Sequence, residues 1–113
     1  MLTDTHCHLF YEDLKNDIHN VIKRASDLGV DKFICVSTNL NDAQECIELA
    51  EKFKPIWATA GIHPHDAKSA PINFEDKLKT LLNNKKIVAV GEIGLDYFRG
   101  ITDQKIQKKY FRK

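Results

Sequence analysis

The chain has 113 residues, of which 42% are hydrophobic and 29% are charged, as in an ordinary globular protein. Its formal net charge of +1 excludes strong electrostatic attraction of the whole chain to nucleic acid or anionic membranes. The three cysteines form no CxxC pair, and no apolar run approaches the roughly 20 residues of a membrane span. We therefore predict reduced thiols in a cytoplasmic protein without a membrane partner.

Short apolar runs alternate with amphipathic helical patterns along the chain. The apolar runs predict four strands, at about Leu2–His8, Lys32–Ser37, Ile56–Ile62 and Ile87–Ile93. Apolar residues at helical spacing predict helices from Leu14 to Leu28 with Gly29 after its end, from a cap at Asn41 to Phe53, and from Phe74 to Leu82 after a cap at Asn73. A last helix is predicted to begin near Asp103.

This alternation predicts an α/β fold with a parallel sheet and right-handed crossovers. A doubly wound open sheet and a (β/α)8 barrel both have this alternation of strands and helices. No glycine-rich nucleotide-binding motif follows the first strand, which disfavours the doubly wound sheet. A complete barrel has eight strands and about 250 residues. We therefore predict the N-terminal half, the first four βα units, of a TIM-type (β/α)8 barrel, as one partial domain over residues 1–113 truncated before the second half. The alternative is a natural half-barrel that pairs with another chain.

The first strand ends in Asp4-Thr5-His6-Cys7-His8. Side chains alternate along a strand, so Asp4, His6 and His8 are predicted to share one face, and Cys7 the other. The carboxyl end of a parallel strand is where active sites form, and two imidazoles there can bind one divalent ion. We predict metal binding by His6 and His8; the alternative is a pair of histidines that only make hydrogen bonds at a loop.

The fourth strand is predicted to carry a carboxylate to the same edge, because Val88, Val90 and Glu92 share a face. A carboxylate that ends a buried apolar strand is costly unless it is paired or bound to metal. We predict that Glu92 is a metal ligand, and the alternative is a salt bridge to a lysine or arginine. Asp96 could support a ligand, contact substrate or cap a short turn.

The third strand ends in Gly61-Ile62-His63-Pro64-His65. His63 is predicted to lie at the same edge, where it could polarise a phosphate, orient a water molecule or add a metal ligand. His65 lies further into the loop and is predicted to be exposed.

Taken together, the segments Asp4–Leu9, Gly61–His65 and Val90–Tyr97 resemble the TatD family of metal-dependent deoxyribonucleases in content, order and spacing. The resemblance covers essentially the whole chain. Gln107 and Phe111 also look like the Gln-x-x-x-Phe stretch that follows in the family.

The resemblance implies an amidohydrolase-type barrel that hydrolyses DNA phosphodiester bonds as a 3'-5' exonuclease with two divalent ions, Mg, Mn or Zn. It implies that His6, His8 and Glu92 bind metal, with Glu92 bridging two ions and so catalytic. His63 would be catalytic and face the substrate phosphate, with Asp96 at the substrate. The family's two further histidines and aspartate lie on later strands, past residue 113.

Because those ligands are not among the 113 residues, we expect this chain alone to bind metal weakly and to show little nuclease activity. Two alternatives to a nuclease remain. One is another amidohydrolase-type enzyme acting on amide or ester bonds. The other is a non-catalytic half-barrel that self-associates through its open sheet edges.

Overall fold

The computed structural model describes all 113 residues. Four strands form one parallel sheet in the order β1-β2-β3-β4, with bounds Leu2–Cys7 (β1), Val30–Cys35 (β2), Ile56–Ala60 (β3) and Ile87–Val90 (β4). The predicted parallel sheet of four successive strands is therefore confirmed.

Helices connect the strands and follow the last one. Their bounds are Glu12–Lys15 (α1), Ile18–Asp27 (α2), Leu40–Lys52 (α3), Phe74–Leu82 (α4) and Gln104–Phe111 (α5), with a short 3-10 turn at Ala67–Ser69. None of these helices combines the length and the apolar character needed to span a membrane.

The hydrophobic core lies between the two central strands and α3. The predicted apolar stripe of α3 is confirmed, since Ala43, Cys46, Ile47 and Ala50 are all buried. Cys46, Ile47 and Ala50 belong to the main hydrophobic cluster. The strands β2 and β3 and the first βα unit supply the rest of this cluster, among them Phe33, Cys35, Ile56, Ala58, Leu9, Phe10 and Ile18. The best-packed part of the molecule therefore lies directly beneath the carboxyl ends of β2 and β3.

The single helix predicted from Leu14 to Leu28 is wrong, because the chain forms two helices that break at Asn16 and Asp17. The Asp17 carboxylate accepts hydrogen bonds from Asn20 and Arg24 in the second helix, as befits a residue that starts a helix rather than continues one. Leu28 is also exposed, since it lies past the last helical residue, whereas Gly29 adopts the predicted positive φ, +88°.

The predicted cap of α3 is off by two residues. Asn39, not Asn41, is the N-cap, and its side-chain Oδ1 accepts the backbone N–H of Asn41 and of Asp42 at 3.0 Å each. The helix N-terminus needs an acceptor for its first free N–H groups, and Asn39 is the residue whose extended backbone allows this. Asn73 caps α4 by position, although its side chain makes no capping hydrogen bond.

The expectation of a buried fourth strand is also wrong. Val88 and Val90 are each 49% exposed. The reason is that β4 is an edge strand with one neighbour, and no further strand of the 113 residues covers it. β1 is exposed along most of its length for the same reason.

Replacing Asn39 tests the corrected helix cap. We expect Asn39→Ala to lower the free energy of unfolding by about 1 kcal/mol, because two N–H groups lose their acceptor. Asn41→Ala is the matched control and should change stability by less than about 0.5 kcal/mol. Urea denaturation followed by circular dichroism measures both; a larger loss for Asn41→Ala than for Asn39→Ala would restore the original interpretation.

Candidate metal centre

His6, His8 and Glu92 converge at the carboxyl edge of the sheet. Their potential ligand atoms all lie within 4.8 Å of one another. His6 lies near the carboxyl end of β1, whereas His8 and Glu92 follow the ends of β1 at Cys7 and of β4 at Val90 by one and two residues. The structure therefore brings together the three residues that were predicted as metal ligands from strands at opposite sides of the sheet.

The ring of His8 is oriented by the backbone of the neighbouring strand. Its Nδ1 lies 2.7 Å from the carbonyl oxygen of Val36, so Nδ1 carries the proton and donates it. The Nε2 lone pair is then free to bind a metal ion. A ligating histidine is commonly fixed in this way by a hydrogen bond from its other ring nitrogen.

Glu92 contacts a histidine and no lysine or arginine. Its Oε1 lies 3.6 Å from Nε2 of His6, which is the only salt-bridge partner of this carboxylate. Within the 113 residues, no lysine or arginine forms the alternative salt bridge with Glu92. The Glu92 side chain is 27% exposed and that of His6 55%, so the group lies on the open end of the sheet rather than in a cavity.

The three donors fit a divalent ion in both chemistry and spacing. Ligands about 2.1 Å from one ion lie at most about 4.2 Å apart, so a separation within 4.8 Å needs only a small side-chain movement. Two imidazole nitrogens and a carboxylate oxygen suit Zn, Mn or Fe, and the carboxylate also suits Mg.

Two neighbours of the histidines take no part in this group. The Asp4 carboxylate accepts the backbone N–H of His6 at 3.1 Å. The Cys7 thiol donates to the carbonyl oxygen of Ile34, and burial, the largest cause, raises its pKa to about 12. A thiol that stays protonated and points away from His6 and His8 is a poor ligand, as strand alternation predicts.

His63 follows β3 and has its own orientation fixed. The backbone N–H of His65 donates to Nδ1 of His63 at 3.1 Å. The proton of the neutral ring is therefore on Nε2, which can donate to an external acceptor such as a phosphate oxygen. This geometry suits the predicted role of His63.

The prediction that His65 is an exposed loop residue is wrong. Its side chain is only 17% exposed, and its Nε2 lies 2.7 Å from Oδ2 of Asp96. The other oxygen of Asp96 accepts the backbone N–H of Phe98 and Arg99. One carboxylate oxygen of Asp96 therefore joins the loop after β3 to the loop after β4, and the other closes a turn within the loop after β4.

These contacts change the acidity of Asp96. Partial burial acts to raise the pKa of its carboxyl, but hydrogen bonds from the Arg99 N–H and the His65 ring outweigh it. The pKa of Asp96 therefore lies below its usual value, and the group is a carboxylate at neutral pH.

Gln107 of α5 holds the same loop and was given no role by the sequence patterns. Its side chain is 1% exposed. Oε1 accepts the Asp96 N–H at 2.8 Å, and Nε2 donates to the carbonyl oxygens of Asp96 and Thr102 at 2.8 and 2.7 Å. The Gln-x-x-x-Phe stretch singles out Gln107 without a role, and a glutamine on the buried side of a helix needs polar partners for its amide.

Two cavities lie away from these residues. One, of about 540 Å³, lies between α3 and α4 and is lined by polar groups such as Asn39, Asp66 and Lys77. A second, about 320 Å³ and more apolar, lies between α4, β4 and α5. Neither contains His6, His8 or Glu92, as follows from their position on an open sheet edge.

Comparison with known families identifies the chain. Residues 3–113 match the family model described as TatD related DNase. The chain belongs to the TatD family. This membership confirms the resemblance that the three sequence motifs indicate.

Curated TatD relatives are considerably longer than this chain. The 3'-5' ssDNA/RNA exonuclease TatD of Salmonella typhimurium is 34% identical over 96 residues, which are 85% of this chain and 37% of that protein. The uncharacterized metal-dependent hydrolase YabD of Bacillus subtilis is 36% identical over 112 residues, 99% of this chain and 44% of that protein. This TatD chain therefore spans less than half the length of these relatives.

Solved structures agree with the predicted fold class. The crystal structure of YJJV, a TatD homolog from Escherichia coli K12, superposes with a TM-score of 0.88 at 31% identity, over 98% of this chain and 44% of that one. A TatD family hydrolase from Entamoeba histolytica gives 0.89 at 29% identity, over 98% and 43%. The fold of this TatD chain is therefore the N-terminal half of a TIM-type barrel, and the doubly wound alternative is set aside.

The lowered pKa of Asp96 predicts that its contribution to the stability of the fold depends on pH. Because the folded pKa lies below the unfolded value of 3.8, ionised Asp96 stabilises the fold fully only well above pH 3.8, and this contribution is lost as pH falls through the folded pKa. We expect Asp96→Asn to have a lower Tm than the unsubstituted chain at pH 7, and the difference to shrink below about pH 3.8. Scanning calorimetry from pH 7 to pH 2.5 measures this.

Asp13→Asn is the matched control, because Asp13 is exposed and makes no side-chain hydrogen bond. It should show no comparable change between pH 7 and pH 2.5. A Tm difference for Asp96→Asn that stays constant across the range would contradict the assigned role of the carboxylate.

Proposed function

We propose that this chain carries the first part of the active centre of a divalent-metal-dependent nuclease, which hydrolyses DNA or RNA phosphodiester bonds from the 3' end. The observation that carries the proposal is the convergence of His6, His8 and Glu92 within 4.8 Å at the carboxyl edge of the sheet. The curated relatives named as 3'-5' ssDNA/RNA exonucleases support this substrate class.

His6, His8 and Glu92 are the proposed metal ligands. Each histidine offers one nitrogen, and the two oxygens of Glu92 allow it to bridge two ions. Two divalent ions, Mg, Mn or Zn, would neutralise charge on the phosphoryl oxygens and activate water for attack. The metal-dependent hydrolase among the relatives supports a divalent cofactor.

His63 is the proposed phosphate contact. Its Nδ1 accepts the His65 N–H, so the Nε2–H can donate to a non-bridging phosphate oxygen and stabilise charge that develops there. Asp96 is proposed to serve substrate binding indirectly. It fixes His65 and the loop after β4, which together frame the position of His63.

We further infer that the chain works within a complete barrel in a reducing compartment such as the cytoplasm. The relatives are more than twice as long as the matched region, and both edge strands expose apolar side chains, among them Leu2 and Val90. The three cysteines are free thiols. The exposed edges also favour self-association of the 113 residues by themselves, through pairing of open strands.

Substitution of the ligands tests the metal centre. We expect His8→Ala and Glu92→Gln to weaken Mn²⁺ or Zn²⁺ binding by more than the roughly 10- to 100-fold that loss of an outer-shell partner costs. His19→Gln is the matched control, because His19 lies on α2 with its ring against Phe53. Isothermal titration of the folded chain measures the affinity, and wild-type affinity in both ligand variants would overturn the assignment.

An assay of the purified chain on single-stranded DNA tests the activity. We expect little turnover with Mg²⁺ or Mn²⁺, because three protein ligands leave a two-ion site unfinished. Assaying each fraction from a sizing column shows whether any activity follows an associated form. Turnover by a clean monomer comparable to that of a full-length relative would contradict the requirement for the rest of a barrel.

A further inference from the structure

The backbone of residues 36–38, directly after β2, connects the separate parts of the candidate site. Its three successive carbonyl oxygens accept, in order, the His8 Nδ1–H at 2.7 Å (Val36), the Glu92 N–H at 2.9 Å (Ser37) and the His63 N–H at 2.7 Å (Thr38). These donors follow β1, β4 and β3 respectively. One short segment therefore sets the relative positions of residues from three other strands.

Two buried hydroxyl groups brace this segment. Ser37 and Thr59 are 0% and 5% exposed. The Ser37 N–H donates to Oγ1 of Thr59 at 3.3 Å, and the Ser37 hydroxyl donates to the Thr59 carbonyl oxygen at 3.1 Å. The pair thus joins the ends of β2 and β3 through side chains as well as through the sheet.

The same two residues hold both polar ends of the peptide group that leads into Glu92. The Thr59 hydroxyl donates to the Gly91 carbonyl oxygen at 2.7 Å, and the Ser37 carbonyl oxygen accepts the Glu92 N–H at 2.9 Å. A peptide group that is hydrogen-bonded at both its oxygen and its nitrogen is restricted in its rotation. The Cα of Glu92, from which the carboxylate extends, is therefore fixed relative to β2 and β3.

We propose that Ser37 and Thr59 are positioning residues of the candidate metal centre, whose hydroxyl groups hold the Gly91–Glu92 peptide so that the Glu92 carboxylate lies beside His6 and His8. The proposal rests on the assignment of Glu92 as a metal ligand under Proposed function. Neither hydroxyl touches the three ligand side chains, so both act through the backbone.

Packing alone does not account for these two hydroxyl groups. Valine has nearly the shape of threonine and would fill the same space at position 59 without a polar atom to satisfy. A buried hydroxyl is favourable only when its hydrogen bonds are made, and those of Thr59 are directed at Gly91 and Ser37. Outer groups that orient metal ligands in this way affect metal affinity although they never contact the ion.

Thr59→Val and Thr59→Ser form the decisive pair of variants. Thr59→Val removes the hydroxyl and keeps the shape, and we expect Mn²⁺ or Zn²⁺ to bind about 10-fold more weakly or worse. Thr59→Ser keeps the hydroxyl and should bind within about threefold of the unsubstituted chain, well inside that loss. Ser37→Ala, which removes the other hydroxyl, provides a second test if Thr59→Val folds poorly. Isothermal titration of the complete 113-residue chain gives the affinities.

Thr102→Val is the matched control. Thr102 is 3% exposed, and its hydroxyl donates to the carbonyl oxygen of His65, away from Glu92. This variant loses a buried hydroxyl hydrogen bond of the same kind, so it should lower stability without changing metal affinity. Equal loss of affinity in Thr102→Val and Thr59→Val would show a general effect of destabilisation and would overturn the proposal.

Amide hydrogen exchange of the metal-free chain separates this proposal from the proposed function. We expect the Glu92 N–H to exchange at least about 10-fold faster in Thr59→Val than in the unsubstituted chain or in Thr59→Ser, because its peptide group is released. If the unsubstituted chain binds no metal, the proposed function fails, while the exchange result still decides whether Thr59 holds Glu92. Unchanged Glu92 exchange in Thr59→Val would overturn the positioning role.

Discussion

The hydrogen bond from the Glu92 N–H to the Ser37 carbonyl oxygen joins two strands that are not neighbours, because β3 lies between β2 and β4. The chain after β4 must therefore cross the end of β3. Gly61 lies at this crossing. A Cβ there would come within 2.6 Å of the Gly91 carbonyl carbon and 2.7 Å of the backbone carbonyl oxygen of Glu92. The candidate metal centre thus depends on a glycine whose missing side chain lets the segment after β4 reach the end of β2.

This crossing explains why Glu92 lies just beyond the end of β4. A regular parallel ladder pairs each strand only with its neighbours. The Glu92–Ser37 hydrogen bond instead needs backbone that has left the ladder, and β2 and β4 end at Cys35 and Val90. The functional edge is therefore held by specific hydrogen bonds over the best-buried strands, and the sheet supplies the rigid base beneath it.

Sequence patterns predicted the four strands and the convergence of His6, His8 and Glu92, because both depend on periodicity. Alternation along β1 correctly placed Cys7 away from His6 and His8, and helical spacing correctly gave the buried face of α3. The patterns failed where a side chain acts on a distant backbone. Nothing near His65 in the sequence indicates that it meets Asp96, 31 residues later.

Sequence patterns also missed Ser37 and Thr59, because their hydrogen bonds are made with residues distant in the sequence. Ser37 and Thr59 look like ordinary strand residues, and their roles appear only when β2, β3 and β4 are placed side by side. The prediction of the N-cap of α3 missed by only two residues. Asn39 and Asn41 are two residues apart, and the choice between them depends on backbone angles that periodicity does not reveal.

The fourth strand changes the argument for Glu92 itself. Its apolar pattern predicted burial, and a buried carboxylate would have required a partner to offset the cost of desolvation. Val88 and Val90 are half exposed in the 113 residues, and the Glu92 side chain is 27% exposed, so that cost is largely absent here. The case for Glu92 as a ligand therefore rests on convergence with His6 and His8 and on the bonds that fix its peptide group. That is a stronger basis than burial, because hydration can relieve an exposed carboxylate but does not aim it at two histidines.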